Sequence, residues 1–253
     1  ATLLSWKNEF YIDVIGELTS IPYIDITIDI MKSFGVNVIN NNYKTFIIKS
    51  GQRYINQEYI IEGDASSASY FFGLAAINKG KVTVKNINQI SVQGDLQLIN
   101  ILKKMGCKIT KKINEIEIEG TDGLIGIDVD MNKMPDVVPT LAIISTFAKN
   151  KTKISNIASL RIKESDRILS VQTELKKLGI ETESTKDSLI IHPNKLTGNI
   201  DVQTYDDHRI AMSFAIIGSN IKGIIINDPD CVKKSFPEFW DNLKNCGIGV
   251  KNV

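Results

Sequence analysis

The sequence repeats itself with a period of about 70 residues, and this restricts its possible folds more than any other feature. Four segments carry apolar residues at helical spacing and end in a glycine: residues 20–35, 91–106, 164–179 and 234–247. The glycines are 71, 73 and 68 residues apart, and each stands where a left-handed residue commonly ends a helix. This spacing predicts four equivalent helices in similar structural units.

A second set of helices is predicted between the members of the first. These helices start at Asp64, Asp136 and Asp207, which are 72 and 71 residues apart. After each comes a short run typical of a β-strand, and then a turn residue: Asn86, Asn156 or Asp228. Two further strand-like runs follow each of the first three glycines, and residues 116–118 and 189–191 close the second and third copies. With a strand before each aspartate, one period reads βαβαββ.

The expected fold class is α/β (α+β), with helices inside and sheets outside. The helix around residues 142–148 is apolar on nearly all sides, which is typical of a buried helix. Three βαβαββ units fit into residues 63–253, and a fragment of a fourth fits into residues 1–62. The repeat indicates architecture and carries no information about chemistry.

Composition narrows the class of protein further. The formal net charge is only +1, so no overall charge excess favours nucleic acid or a membrane surface as a partner. No apolar run is long enough to span a membrane, and the first residues do not have the pattern of a signal peptide. The three cysteines match no zinc or CxxC spacing, which favours a reducing, cytoplasmic location. The chain begins at Ala1 without an initiator methionine, so we expect a processed or truncated chain.

Charged residues gather where the repeat places helix N-termini. Ser20, Ser91, Glu164 and Lys234 are predicted in the first turns of equivalent helices. Basic residues are added at or near these ends: Lys163, Arg167, Arg209, Lys233 and Lys234. Cations oppose the helix dipole at this end, whereas anions suit both the dipole and the free N–H groups. A substrate carrying phosphate or carboxylate groups resolves the conflict.

Simpler interpretations exist for the same residues. Asp64, Asp136 and Asp207 are each suited to capping a helix N-terminus. Lys163 and Arg167 are also compatible with a solvated helix face, paired with neighbouring carboxylates. Of the two histidines, His192 fits a turn, whereas His208 lies between Asp207 and Arg209 and is the better candidate for a site.

Six motifs resemble the 5-enolpyruvylshikimate-3-phosphate (EPSP) synthase family, in the order in which that family carries them. They are SIPYIDIT (20–27), EGDASSASYFF (62–72), MPD (134–136), RIKESDR (161–167), TYDDHRIAM (204–212) and DPDCVKKSFP (228–237). The resemblance covers the whole sequence and implies two inverse α/β domains of three βαβαββ units each. It makes residues 1–62 the last unit of an incomplete first domain and residues 63–253 a complete second domain.

The resemblance also implies transfer of the enolpyruvyl group of phosphoenolpyruvate (PEP) to the 5-hydroxyl of shikimate 3-phosphate. In that reaction Asp136 is the base and Glu164 is the acid that protonates the PEP methylene. The implied PEP-binding residues are Arg167, Arg209 and Lys234.

For shikimate 3-phosphate, the residues implied by the same resemblance are Ser20, Tyr23, Asp136, Ser159 and Lys163. Ser159 stands where many relatives have asparagine, which implies a weaker and shorter contact. His208 and Asp207 are expected to support the site without touching substrate. No metal ion or cofactor is expected.

The family's N-terminal Lys-Ser pair, glycine-rich PEP segment, further PEP-binding arginine and Ser-Ser-Gln shikimate site have no counterpart in this sequence. We therefore expect little activity from the chain alone and a need for the N-terminal segment of the same enzyme. The complete enzyme is expected to be a monomer.

Two alternatives remain at this stage. One is UDP-N-acetylglucosamine enolpyruvyl transferase, which shares the fold and PEP but uses a reactive cysteine on a mobile loop. The other is a non-catalytic folded fragment.

Overall fold

The computed structural model describes residues 8–88 and 90–252. These residues form two compact units. One contains residues 8–62 and 90–94, and the other contains residues 63–88 and 95–252. The division therefore falls between Glu62 and Gly63, and the short segment 90–94 belongs to the first unit. No helix in the described residues is long and apolar enough to cross a membrane.

The first unit is one helix and a small antiparallel sheet. Strand β1 (Phe10–Asp13) precedes helix α1 (Ile21–Ser33), which is followed by strands β2 (Val38–Asn41) and β3 (Thr45–Ile48). The strand order is β1-β3-β2. Pro22 lies in the first turn of α1, where proline fits because its missing N–H would have no partner in the helix.

The second unit contains the rest of the regular structure. Its helices are α2 (Ala65–Asn78), α3 (Leu98–Lys104), α4 (Val138–Ser145), α5 (Arg167–Lys177), α6 (His208–Ala215) and α7 (Phe239–Asn245). Its strands are β4 (Lys81–Lys85), β5 (Lys108–Lys112), β6 (Glu115–Glu119), β7 (Asp128–Asp130), β8 (Thr152–Ser155), β9 (Glu181–Ser184), β10 (Leu189–His192), β11 (Ile200–Val202) and β12 (Ile224–Ile226).

The strands of the second unit form three separate sheets. Strands β4, β6 and β5 make an antiparallel sheet. The next has the order β7-β8-β10-β9, in which only β7 and β8 are parallel. The third is the parallel pair β11-β12. Only the middle copy has the full βαβαββ order; within the described residues, no strand lies between β3 and Asp64, and none follows Gly247.

Helices α2, α4 and α6 form the centre of the second unit, as the sequence predicts. All eight residues of α4 are buried, and α4 packs against both α2 and α6. A short series of hydroxyl contacts joins the three helices: Ser69 Oγ lies 3.1 Å from Thr140 Oγ1, which lies 3.4 Å from Ser213 Oγ. Gly73 allows close packing, because a Cβ there would lie 2.9 Å from Ile216 Cδ1. The prediction of helices inside and sheets outside is confirmed.

The turn residues also behave as the repeat predicts. Gly35, Gly106, Gly179 and Gly247 have φ values of +87°, +110°, +80° and +85°, so each helix of the first set ends in a left-handed residue. Asn86, Asn156 and Asp228 are left-handed as well, with φ values of 58°, 58° and 47°.

The predicted helix starts are wrong for three of the four segments. Only Ser20 directly precedes its helix. Glu164 lies three residues before α5, because the shorter carboxylate of Asp166 caps that helix through the Leu169 N–H. Lys234 ends a 3₁₀ helix, Pro229–Lys234, and α7 begins only after Pro237. Ser91 precedes another 3₁₀ turn, Gly94–Gln97, which leads into α3.

Candidate active site

Arg167 is the centre of a group of charged side chains at the start of α5. It is the first residue of the helix, and its side chain is only 1% exposed. The guanidinium donates to three carboxylates: Nη1 to Asp136 Oδ1 at 3.0 Å, Nη2 to Glu164 Oε2 at 2.6 Å, and Nε to Asp207 Oδ2 at 2.8 Å. A buried arginine needs such partners, and its planar fork suits several carboxylates at once.

Asp207 joins α5 to α6. Its carboxylate caps α6 by accepting the Arg209 N–H at 3.0 Å, and its side chain is completely buried. The same carboxylate accepts bonds from Arg167 and, at 3.0 Å, from the Ser165 hydroxyl. The capping role expected for Asp207 is therefore real, but the residue also holds Arg167 in place. Ser165 was missed in the sequence analysis, although it lies inside the RIKESDR motif.

Asp136 does not cap a helix, so that simpler interpretation is wrong for this residue. It lies within the 3₁₀ turn Pro135–Val137, ahead of α4, and the N-cap positions of the turn and of α4 are Met134 and Val137. Asp136 instead accepts bonds from Arg167 at 3.0 Å and from Arg209 Nη2 at 2.9 Å. Lys163 Nζ lies 4.0 Å from Asp136 Oδ1. Asp64, by contrast, caps α2 through the Ser66 and Ser67 N–H groups, as expected.

Glu164 connects Arg167 to Lys234. Its Oε1 accepts a bond from Lys234 Nζ at 2.6 Å, and its Oε2 accepts one from Arg167. Partial burial favours the protonated acid, but the Lys234 hydrogen bond and the nearby positive charges outweigh it. They lower the pKa of Glu164 to about 2. Glu164 is thus a carboxylate at neutral pH while these pairs hold.

Seven residues of the second unit therefore form one charge cluster: Asp136, Lys163, Glu164, Arg167, Asp207, Arg209 and Lys234. It contains four cations and three carboxylates, and the N-termini of α5 and α6 face it through Arg167 and Asp207. This excess of positive charge beside two helix N-termini favours the binding of an anion. Among the described residues, no three His, Cys, Asp or Glu side chains are grouped as ligands for a metal ion.

Two further predicted residues, His208 and Ser159, belong to this unit. His208 is only 3% exposed, and its Nδ1 lies 3.9 Å from Asp207 Oδ1. Burial, together with the charge of Arg209, lowers the pKa of His208, so the ring is neutral at pH 7. Ser159 lies in the 3₁₀ turn Ala158–Ile162, just before Lys163, and its hydroxyl makes no hydrogen bond to the described cluster residues.

Ser20 and Tyr23 belong to the first unit. Ser20 precedes α1 in a left-handed conformation, with φ 56°, and its side chain makes no capping bond. Tyr23 lies in the first turn of α1 with a side chain that is 40% exposed, and its N–H donates to the Ser20 carbonyl at 3.1 Å. A left-handed serine is uncommon and such conformations concentrate at functional sites, which is compatible with the predicted role of Ser20.

The comparison with known families agrees with these motifs. Residues 4–243 match the family described as EPSP synthase (3-phosphoshikimate 1-carboxyvinyltransferase). The chain belongs to the EPSP synthase family. A relative from Vibrio campbellii, named 3-phosphoshikimate 1-carboxyvinyltransferase, is 44% identical over 239 residues, which are 94% of this chain and 56% of that protein. This chain therefore spans just over half the length of the curated relatives that it matches.

Solved structures of the family have the same fold. An EPSP synthase from Acinetobacter baumannii matches 98% of this chain and 59% of its own, with a TM-score of 0.85 and 27% identity. The enolpyruvyl transferase NikO from Streptomyces tendae matches 96% of this chain and 57% of its own, with a TM-score of 0.73. At 13% identity, the likeness to NikO concerns the fold alone.

Proposed function

We propose that this chain provides the acid–base and PEP-binding part of a 3-phosphoshikimate 1-carboxyvinyltransferase. The observation that carries the proposal is the bridge that Arg167 makes between Asp136 at 3.0 Å and Glu164 at 2.6 Å. The bridge brings two carboxylates suited to proton transfer to the same buried cation, where an anionic substrate group would bind.

In this proposal, different cations bind the two substrates. Arg167, Arg209 and Lys234 bind the carboxylate and phosphate of PEP, since all three already bind carboxylates in the cluster. Lys163, near Asp136, binds shikimate 3-phosphate. Ser20, Tyr23 and Ser159 are the other proposed contacts to that substrate. Asp207 binds Arg167, His208 lies beside Asp207, and neither residue contacts substrate.

The proposed reaction is an addition followed by an elimination. Asp136 takes the proton of the 5-hydroxyl, whose oxygen forms a bond to C2 of PEP, while protonated Glu164 gives its proton to the C3 methylene. In the second step the bond from C2 to the phosphate oxygen breaks. Glu164 takes a proton back from the C3 methyl group, and the leaving phosphate receives the proton held by Asp136. Both side chains are then as they began.

Glu164 has to change partners to act as the acid. A carboxyl with a pKa of about 2 holds no proton at neutral pH. PEP supplies the competing anions: when its groups bind Lys234 and Arg167, the stabilisation of the Glu164 carboxylate falls and its burial again favours protonation. Substrate binding would thereby prepare the acid. Lys234 is free to move in this exchange, because its side chain is 56% exposed.

We further propose that catalysis needs the N-terminal segment of the same enzyme as a partner. The first unit supports this. Thirteen large apolar side chains are exposed among its described residues, for example Ile15 (98%), Ile60 (87%), Ile61 (78%) and Ile55 (64%), whereas the much larger second unit exposes six among its own described residues. Single exposed apolar residues are ordinary, but a concentration of them indicates a surface that another segment covers.

The third sheet of the second unit has an open edge, which is compatible with an added strand from such a partner. Strand β8 pairs with β7 on one side and β10 on the other, whereas its counterpart β12 pairs only with β11 among the described strands. An open strand edge, with unpaired N–H and C=O groups, is a pairing site for another segment. The completed enzyme is proposed to be a cytoplasmic monomer. The free thiols of Cys107, Cys231 and Cys246 fit a reducing compartment.

The comparisons favour this function over the first alternative, since the curated relatives are named 3-phosphoshikimate 1-carboxyvinyltransferase. A reactive cysteine of the kind that the UDP-N-acetylglucosamine enzyme uses is not found at the cluster. Burial raises the pKa of both Cys107 and Cys231 to about 11, which keeps these thiols protonated and unreactive.

The test is phosphate release from PEP and shikimate 3-phosphate by this chain, with and without the separately produced N-terminal segment. We expect turnover only from the mixture, and a loss of at least about a hundredfold with Asp136→Asn. Asp230→Asn is the matched control, because Asp230 is an exposed carboxylate that pairs with Lys233. Full turnover by the isolated chain, or equal rates for both variants, would contradict the proposal.

A further inference from the structure

Glu174 is a fully buried carboxylate outside the charge cluster. It lies in α5 seven residues after Arg167, which is about two helical turns, so the two side chains share one face of the helix. Its side chain is 0% exposed. It accepts three hydrogen bonds: from Tyr205 Oη at 2.7 Å, from Lys177 Nζ at 2.7 Å and from the Gln203 N–H at 3.1 Å. A buried charge is costly without such partners, so this position is built around a carboxylate.

Two of these partners belong to the turn of residues 203–207, which joins β11 to α6. Within this turn Tyr205 and Asp206 are both left-handed, with φ values of 57° and 55°. Such a conformation costs free energy for residues with a side chain, and it persists only where the surroundings hold it. The bond from Tyr205 to Glu174 supplies one such restraint. Partial burial and this bond raise the pKa of Tyr205 to about 12, so the phenol remains a donor.

Helix α5 therefore holds the turn at both ends. Glu174 binds the turn through Gln203 and Tyr205, while Arg167 binds it through Asp207. Asp207 is also the residue that caps α6 through the Arg209 N–H. A shift of the turn would consequently move the carboxylate that orients Arg167 and the helix start that carries Arg209.

We propose that Glu174 and Tyr205 are positioning residues for the anion site. By fixing the turn of residues 203–207, they keep Asp207 where it orients Arg167 and the start of α6, and hence where Arg167 and Arg209 meet an anion. Neither residue touches substrate. The nature of the anion, PEP, rests on the proposed function, but the positioning itself does not.

The test compares Tyr205→Phe with Tyr43→Phe in this chain. The control is matched, because the Tyr43 hydroxyl also donates to a carboxylate, that of Asp25 at 2.9 Å, but does so in the first unit. Two readouts are taken for each variant. The first compares the hydrogen exchange of the Arg209 amide with that of the β10 amides, and the second is PEP affinity from NMR titration of the arginine side chains. Glu174→Gln, which places an amide donor opposite existing donors, is the second variant.

We expect Tyr205→Phe to lower the protection of the Arg209 amide about tenfold while the β10 amides keep theirs, and to weaken PEP binding about tenfold. Glu174→Gln should act in the same direction, and Tyr43→Phe should change neither readout. A residue that merely stabilises the fold would lower all protections together and leave PEP affinity intact; that result would overturn the proposal. Failure of the unaltered chain to bind PEP would contradict the proposed function. In that case the hydrogen exchange of the Arg209 amide alone tests the positioning role of Tyr205.

Discussion

Removing the Lys234 ammonium should raise the pKa of Glu164 substantially. Lys234 Nζ lies 2.6 Å from Glu164 Oε1, and this hydrogen bond is the main influence that opposes burial. In Lys234→Met the burial of Glu164 still favours the protonated acid, while only Arg167 and backbone bonding oppose it. We therefore expect the pKa to rise from about 2 by about one to two pH units.

The same change gives a stability prediction with a definite sign. A fall of the pKa from 4.5 to about 2 corresponds to about 3 kcal/mol, at about 1.4 kcal/mol per pKa unit. Solvent around Lys234, which is 56% exposed, reduces its share to about 1–2 kcal/mol. Because the folded pKa is lowered, this stability is present above about pH 4.5 and is lost as the pH falls towards 2. The difference between the variant and the original chain should disappear over that range.

The assay is a pH titration of the Glu164 carboxyl carbon by NMR, combined with urea unfolding at pH 7 and at acid pH. Lys233→Met is the matched control, since the neighbouring Lys233 pairs with Asp230 and is 64% exposed. The reasoning is refuted if Lys234→Met leaves the Glu164 pKa near 2, or if Lys233→Met raises it equally.

Three further changes test the structure of the second unit. Arg167→Met should cost about 3–5 kcal/mol in urea unfolding, because it leaves the buried Asp207 without its main partner; a cost below about 1 kcal/mol would contradict this. Asp64→Ala should cost about 1 kcal/mol by removing the cap of α2, and an unchanged unfolding midpoint would exclude that role. Gly73→Ala should destabilise by about 1 kcal/mol, because its Cβ would lie 2.9 Å from Ile216 Cδ1 and 3.3 Å from atoms of Ile144 and Thr140, all fully buried and therefore confined, whereas Gly80→Ala, with no atom beyond its chain neighbours within 4 Å of its Cβ, should not. Equal effects of the two alanines would show that packing at Gly73 is not tight.

The repeat made the local structure predictable where a residue type suits one backbone conformation or one environment. Left-handed conformations at Gly35, Gly106, Gly179 and Gly247 follow from the spacing of the glycines and the helix patterns before them. The burial of α4 follows from its lack of a polar face. In such cases the information needed lies within a few neighbouring residues.

The roles of the charged residues were less predictable, because they depend on distant partners. Asp64, Asp136 and Asp207 look alike in the repeat, yet Asp64 only caps a helix, Asp207 also binds Arg167, and Asp136 does not cap at all. The difference arises from Arg167 and Arg209, which lie far along the chain from Asp136.

The role of Glu174 also depends on distant partners that its neighbouring residues do not reveal. In the segment TELKK it has Lys177 three residues later and resembles an exposed helix pair. Only the fold brings the turn of residues 203–207 over it and buries its side chain. Its spacing of seven residues from Arg167 is the signal that could have found it, because that spacing places both on one helix face.

Enolpyruvyl transfer to shikimate 3-phosphate is the role that we propose for the charge cluster. Its most direct test is a product analysis by mass spectrometry, in which this chain and the N-terminal segment are mixed with PEP and either shikimate 3-phosphate or UDP-N-acetylglucosamine. We predict one enolpyruvyl product and an equal amount of phosphate with shikimate 3-phosphate, and no product with the nucleotide sugar. Transfer to the nucleotide sugar, or no transfer by a mixture shown to associate, would contradict the account.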